Sequence, residues 1–382
     1  MSVDISGLAT VERYYRDYGG RARQLKQQGK RIIGYLCAYV PLEIIHAAGF
    51  VPFRIKGSVV EPISKADTQM ETIVCPLVRS CFDMSLKNRY EFLEGLVIPH
   101  ACDSICKTYD IWKHTLGLPY SHFVNLPHST DDSSLVFFKA ELDTFRKSLE
   151  KIGGKISDDS LAQAVKLYNN NRARVRQLME CRGASPPLIS GAELIKTLVV
   201  SVSLPVTESI ALLDSVISEV RQRASLPATK SARIMVVGAE IDDAALFELI
   251  EDVGAWVVAD DICPGTREHL FDVTVTDDPM DGIAERYLRK IYCGRTYRER
   301  KGTYPEYLEE RFGHIGRLIK DFKVDGVILY IYKYCDPFGF EVPAMKSYIQ
   351  SLGTPVLYLE DEYSMSTIAR LRNRIQAFLE ML

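Results

Sequence analysis

Apolar residues in this chain come in short blocks, each followed by a stretch with helical spacing. That alternation predicts parallel strands flanked by helices. The pattern Gly95-Leu-Val-Ile-Pro-His-Ala-Cys102-Asp103 predicts a strand that opens into a helix. Leu116-Gly117-Leu-Pro119 ends that helix, and Ser121-His-Phe-Val-Asn-Leu126 is the next strand. The same design returns as Gly326-Val-Ile-Leu-Tyr-Ile-Tyr-Lys-Tyr-Cys335-Asp336, a helix, Leu352-Gly353-Thr-Pro355 and the strand Val356-Leu-Tyr-Leu359. One βαβ unit is used twice, each time with a Cys-Asp pair at the strand-to-helix turn.

The intervening pattern fills in the architecture. Residues 31–37 and 50–55 predict strands, with a helix from Pro41 to Gly49 between them. Cys75-Pro76 opens a further helix. Helical spacing then runs over 131–149, 160–179 and 207–223, and Ser190-Gly-Ala-Glu193 has the form of a capping box. Residues 223–230 are the predicted linker. Residues 233–238 open a second α/β unit, with a helix over 242–252 and a strand over 255–259. A long connection carrying Cys263-Pro-Gly leads to helices over 279–292 and 304–322, and a helix over 366–382 closes the chain. The expected fold is α/β, with two doubly wound parallel-sheet domains (1–130 and 229–382) joined by a helical segment (131–228).

Composition narrows the function. Lys+Arg 47 against Asp+Glu 50 gives a net charge of −3, so no basic excess invites nucleic acid. No apolar run reaches the roughly 18 residues of a membrane span. The first residues lack the basic and apolar regions of a secretory signal, so a cytoplasmic protein is expected. Nine scattered cysteines fit reduced thiols and metal ligation better than a disulfide framework.

The chemistry therefore centres on cysteine. In open α/β sheets, ligands collect beyond the carboxyl ends of strands. Cys102 and Cys335 sit there, at the positive ends of helices that would lower a thiol pKa. Cys75 is placed similarly, before a helix that starts with proline. Each alone is as well explained as a buried structural residue, and Asp103 and Asp336 could act simply as helix caps. The duplicated placement favours a shared site, with a metal or an iron–sulfur cluster in the interdomain cleft. Cys37, Cys81, Cys106 and Cys263 compete as ligands, whereas Cys181 and Cys293 read as structural. His100 and His114 flank the first Cys-Asp turn as candidate polar groups. No C-x2-C pair suggests zinc, and there is no phosphate loop, dinucleotide-binding glycine pattern, nucleophile elbow or zinc-protease motif.

Several segments, taken together, carry a resemblance. They are Gly34 to Gly49, Cys75-Pro-Leu-Val-Arg-Ser80, Cys102-Asp103 through Tyr109-Asp-Ile-Trp112, Tyr334-Cys-Asp-Pro-Phe-Gly-Phe-Glu-Val-Pro343, Leu357 to Tyr363 and Arg370 to Phe378. In order and spacing the chain resembles a subunit of the 2-hydroxyacyl-CoA dehydratase / benzoyl-CoA reductase family, the smaller one by length. The resemblance implies a 4Fe–4S cluster held by Cys75, Cys102 and Cys335. It implies a paralogous second subunit (or a second copy) and a separate ATP-hydrolysing iron–sulfur activator that delivers low-potential electrons. It implies an acyl-CoA substrate, either dehydrated through a radical or reduced at an aromatic ring. Two alternatives stay open: a non-catalytic electron-relay or accessory iron–sulfur protein, and a double-cubane-type small-molecule reductase. The second expects another cysteine between the Cys75 and Cys102 elements, where only Cys81 stands.

Overall fold

The protein is described by a computed structural model covering residues 7–223, 226, 230 and 232–382. Helices α1 (Gly7–Arg16) and α2 (Gly20–Gln27) come first. They are followed by β1 (Ile32–Tyr35), α3 (Leu42–Ala47), β2 (Val51–Arg54), α4 (Pro76–Leu86), β3 (Gly95–Pro99), α5 (Asp103–Leu116) and β4 (Tyr120–Val124). Four helices succeed them: α6 (Asp132–Glu150), α7 (Asp158–Glu180), α8 (Gly191–Ser201) and α9 (Val206–Gln222). The rest is β5 (Ala232–Glu240), α10 (Ala245–Asp252), β6 (Ala255–Cys263), α11 (Thr266–His269), α12 (Pro279–Glu285), α13 (Tyr304–Asp321), β7 (Gly326–Tyr332), α14 (Asp336–Ser351), β8 (Val356–Asp361) and α15 (Ile368–Leu379).

The two sheets share one topology. The first runs β2-β1-β3-β4 and the second β6-β5-β7-β8, with every pairing parallel. This is the α/β architecture the alternating pattern predicts. β1, β3, β6 and β7 are buried at every position, as expected for strands covered on both faces. β3 and β7 hold equivalent places in their sheets, so Cys102 and Cys335 follow topologically matched strands. One apolar cluster runs from Phe53, Phe82 and Trp112 in the first half to Ile234, Ile328 and Tyr332 in the second. The two sheets are thus packed through a common interior.

Local chemistry explains most element ends. The Ser190 hydroxyl accepts from Glu193 N, and the Glu193 carboxylate accepts from Ser190 N, completing the capping box of α8. α10 starts at Ala245, three residues later than the pattern predicts. Asp242 is buried and spends its carboxylate across the molecule, accepting from Tyr363 Oη at 2.7 Å and Gly57 N at 3.3 Å. The helix expected over 279–292 leaves α-geometry after Glu285 for a π turn, Arg286–Lys290. There the buried Arg286 guanidinium donates to the carbonyls of Phe271 and Glu268. α1 and α2, which the apolar pattern did not announce, pack with the helical segment: Gly7 N donates to Ser215 Oγ at 2.8 Å, and Arg21 pairs with Glu208. The predicted linker lies largely outside the described residues. Among those described, no helix is long and apolar enough to cross a membrane.

Candidate functional site

Cys75, Cys102 and Cys335 each occupy the residue immediately before a helix, α4, α5 and α14 respectively. Asp103 and Asp336 are therefore the first helical residues, exposed, and not caps. No short side-chain cap bond closes at these three helix starts. The backbone N–H groups of Leu77 and Val78 nevertheless favour thiolate at Cys75, as do Ile105 at Cys102 and Phe338 at Cys335.

The three sulfurs share one neighbourhood. Cys102 lies in the electrostatic field of Cys75, Cys335 and Cys37, and Cys335 in that of Cys75 and Cys293. The Cys75 and Cys102 loops are also tied directly, since Cys75 N donates to Ser104 Oγ at 3.4 Å. The depressed thiol pKa expected from helix position is not found. Burial outweighs the helix N–H groups, pushing Cys75 up to about 11 and Cys102 and Cys335 up as well. Among the described residues, no three His, Cys, Asp or Glu side chains form a group close enough to hold a metal ion.

The surroundings are rigid and charged. Arg295 brings the segment before α13 onto the Cys102 loop, donating to the carbonyls of His100 (3.0 Å), Ala101 (3.3 Å), Leu126 (3.2 Å) and Pro127 (2.6 Å). Arg79 donates to Val74 O at 3.0 Å, fixing the turn before Cys75. Cys37 (φ 70°) and Tyr334 (φ 63°) hold left-handed backbone without being glycine, the kind of strain that clusters at functional sites. Arg54, at the end of β2, spans the cleft to Glu240, at the end of β5, at 2.9 Å, and also pairs with Glu268. Glu240 and Glu268 share that single guanidinium, and Asp242 adds its negative charge beside Glu240. Burial therefore wins at Glu240 and raises its pKa to about 7, despite the pull of Arg54. The Glu240 carboxylate faces Cys37, Cys75 and Cys81 and disfavours their ionisation.

The family profile described as 2-hydroxyglutaryl-CoA dehydratase, D-component, matches residues 37–382. The chain belongs to this D-component family. It is 29% identical over 369 residues to the Escherichia coli K12 protein YjiM, covering 94% of this chain and 93% of that one. It is 28% identical to a benzoyl-CoA reductase subunit of Thauera aromatica, over 94% of this chain and 95% of the relative. It is 26% identical to the (R)-phenyllactyl-CoA dehydratase beta subunit of Clostridium sporogenes, over 94% of each. Membership in this set of dehydratase and reductase subunits makes the chain an enzyme component.

In this D-component family member the other candidates separate by position. Cys81 is 1% exposed on α4 and packs in the core with Phe82. Cys106 is half-buried one turn beyond Cys102, and the charges acting on it come from Asp103, Arg295 and Lys107 rather than from another thiol. Cys263 lies beneath Arg267, whose Nη1 reaches its sulfur at 3.7 Å. Cys181 bonds Gln177 O within the helical segment. Cys293, read as structural from sequence, lies near enough to Cys37 and Cys335 to help raise the pKa of both. His100 stays close, bonding Asn125 and stacking edge-on with His128. His114 does not: it is exposed near the far end of α5, about 17 Å along the axis from Asp103. Sequence reasoning missed Arg54, Glu240 and Arg295. Arg54 and Glu240 end buried strands, which was a usable signal; Arg295 lies in a loop with no pattern.

Proposed function

We propose that this chain is the iron–sulfur subunit of a radical 2-hydroxyacyl-CoA dehydratase or benzoyl-CoA reductase type enzyme. Cys75, Cys102 and Cys335 would hold a 4Fe–4S cluster between the two sheets. The observation that carries this reading is that three thiols, drawn from both halves, each stand immediately before a helix, two of them after topologically matched strands. A zinc ion needs ligands at about 2.0–2.3 Å, and no such group is preformed among the described residues. A cubane is a wider body, with three irons for three cysteines and a fourth iron left for a small ligand, so this donor set suits it better. Such a cluster, when bound, supplies a low-potential one-electron couple.

The chain's own residues define its setting. The neutral buried thiols would release their protons to solvent on ligating a cationic cluster, and binding would thereby stabilise the folded holo-protein. The N–H groups of Leu77, Val78, Ile105 and Phe338 donate towards the sulfurs and tune the couple. Glu240, titrating near neutrality beside these thiols, can hold a proton there. Relatives named as subunits support a paralogous partner subunit. The lack of a phosphate loop supports a separate ATP-hydrolysing activator, and the relatives' substrates support an acyl-CoA substrate.

Iron and sulfide analysis after anaerobic purification tests the proposal. Cys75→Ser, Cys102→Ser and Cys335→Ser should each abolish the visible absorption of the cluster, and Cys181→Ser should leave it intact. Retention of iron and absorption in all three ligand variants would refute the ligand set.

A further inference from the structure

A second polar site lies inside the protein; Cys75, Cys102 and Cys335 do not line it, although Cys37 does. It is a cavity of about 50 Å³ where the end of β1, α7 and the α11 turn meet. Three of its lining side chains lack what buried polar groups require. Both ring nitrogens of His269 have no partner among the described residues, though the residue is 5% exposed. The Tyr35 hydroxyl, at 1% exposure, also makes no well-formed hydrogen bond among the described residues, its nearest donor being the Arg54 guanidinium that lies over its ring. Arg286 is 3% exposed and bonds backbone carbonyls through Nε and Nη2, but among the described residues no carboxylate pairs with it. Buried polar groups and buried charges are normally satisfied, so all three call for a partner.

The neighbouring charges are already matched. Arg172 pairs with Glu43, which also accepts from Tyr287 Oη at 2.9 Å. Arg54 takes Glu268. Among the described residues, Arg286 is the arginine of this group with no carboxylate at ion-pair distance, because Glu43 and Glu268 are engaged by Arg172 and Arg54. Burial and the repulsion of Arg172 outweigh the more distant pull of Glu43 and Glu268 and bring its pKa down to about 10, which still leaves it charged at neutral pH. Burial and the same arginines push His269 to about 3, so its ring is neutral, with one N–H to give. Water could fill hydrogen bonds in this cavity but could not supply the missing charge.

We propose that this cavity binds a small planar oxyanion on Arg286, with His269 and Tyr35 donating to it. The size agrees. Each water-sized position takes roughly 10–15 Å³, so the cavity holds about three to five such positions, the scale of formate or nitrate. The inference stands apart from the cluster reading, because it uses none of the same residues.

Thermal melting of the full chain in sodium formate, sodium nitrate and sodium chloride at equal ionic strength provides the test. A saturable rise in Tm with formate, absent with chloride, is expected. Nitrate separates the sources: a response to formate alone means a carboxylate, and an equal response to nitrate means inorganic oxyanions bind too. Tyr35→Phe removes a hydroxyl that makes no well-formed hydrogen bond among the described residues, so it should fold normally and bind formate about 3- to 10-fold more weakly. Arg286→Gln should lose the response. Equal melting in formate and chloride, or a Tyr35→Phe response identical to that of the parent chain, would overturn the assignment.

Discussion

At the scale of single residues, burial and local dipoles compete, and burial wins. Cys75 sits before a helix whose N–H groups favour thiolate, yet desolvation carries its pKa up to about 11. Helix position is visible in a sequence because Pro76 marks the start. Desolvation is not, because it depends on what packs above the turn. Arg295 makes the same point. Nothing in its loop sets it apart, but its guanidinium holds four backbone carbonyls around Cys102. Arg295→Met should lower unfolding stability by roughly 3 kcal/mol, since charged-group hydrogen bonds contribute about 1.5–3 kcal/mol each and some carbonyls will recover water. If the proposed cluster is bound, it should also reduce the iron retained on reconstitution. Arg295→Lys, with a point charge in place of a planar fork, should restore only part of either. A denaturation midpoint for Arg295→Met equal to that of the parent chain would discount the role.

At the scale of elements, pattern and caps were reliable guides. Parallel strands covered on both faces read as continuous apolar runs, which is why β1, β3, β5 and β7 were legible. The capping box made α8 legible, and it gives a clean test. Ser190→Ala should cost about 1 kcal/mol, seen as a lower urea midpoint with an unchanged slope. An unchanged midpoint would mean that packing of α8 alone fixes its start. Elements were misread where a side chain serves a distant partner. Asp242 gives up a helical start to bind Tyr363 and Gly57, and Arg286 marks the turn where α12 widens into π geometry. Such residues obey the whole structure rather than their neighbours in sequence.

At the scale of the whole molecule, charge across the cleft links stability to pH. Glu240 has a folded pKa of about 7 against an ordinary 4.5, so the folded protein keeps a proton that the unfolded chain releases between those values. Raising the pH through that window therefore removes stability, by up to about 3 kcal/mol for this one group. Glu240→Gln should flatten the loss. Its stability relative to the parent chain should rise from pH 5 to pH 8 in urea titrations of the cluster-free protein. A pH-independent difference would show that Arg54 keeps Glu240 ionised. The sequence by itself determined the alternation of strand and helix, the duplicated Cys-Asp turns and the family, because apolar periodicity, turn residues and ordered motifs are properties of neighbouring positions. The tertiary structure decided which thiols are buried near the Cys102 loop, that burial overrides the helix dipoles, and that Arg286 has no carboxylate at ion-pair distance among the described residues. Those outcomes depend on distances between residues far apart in the chain and on the water excluded between them, and neither is written locally.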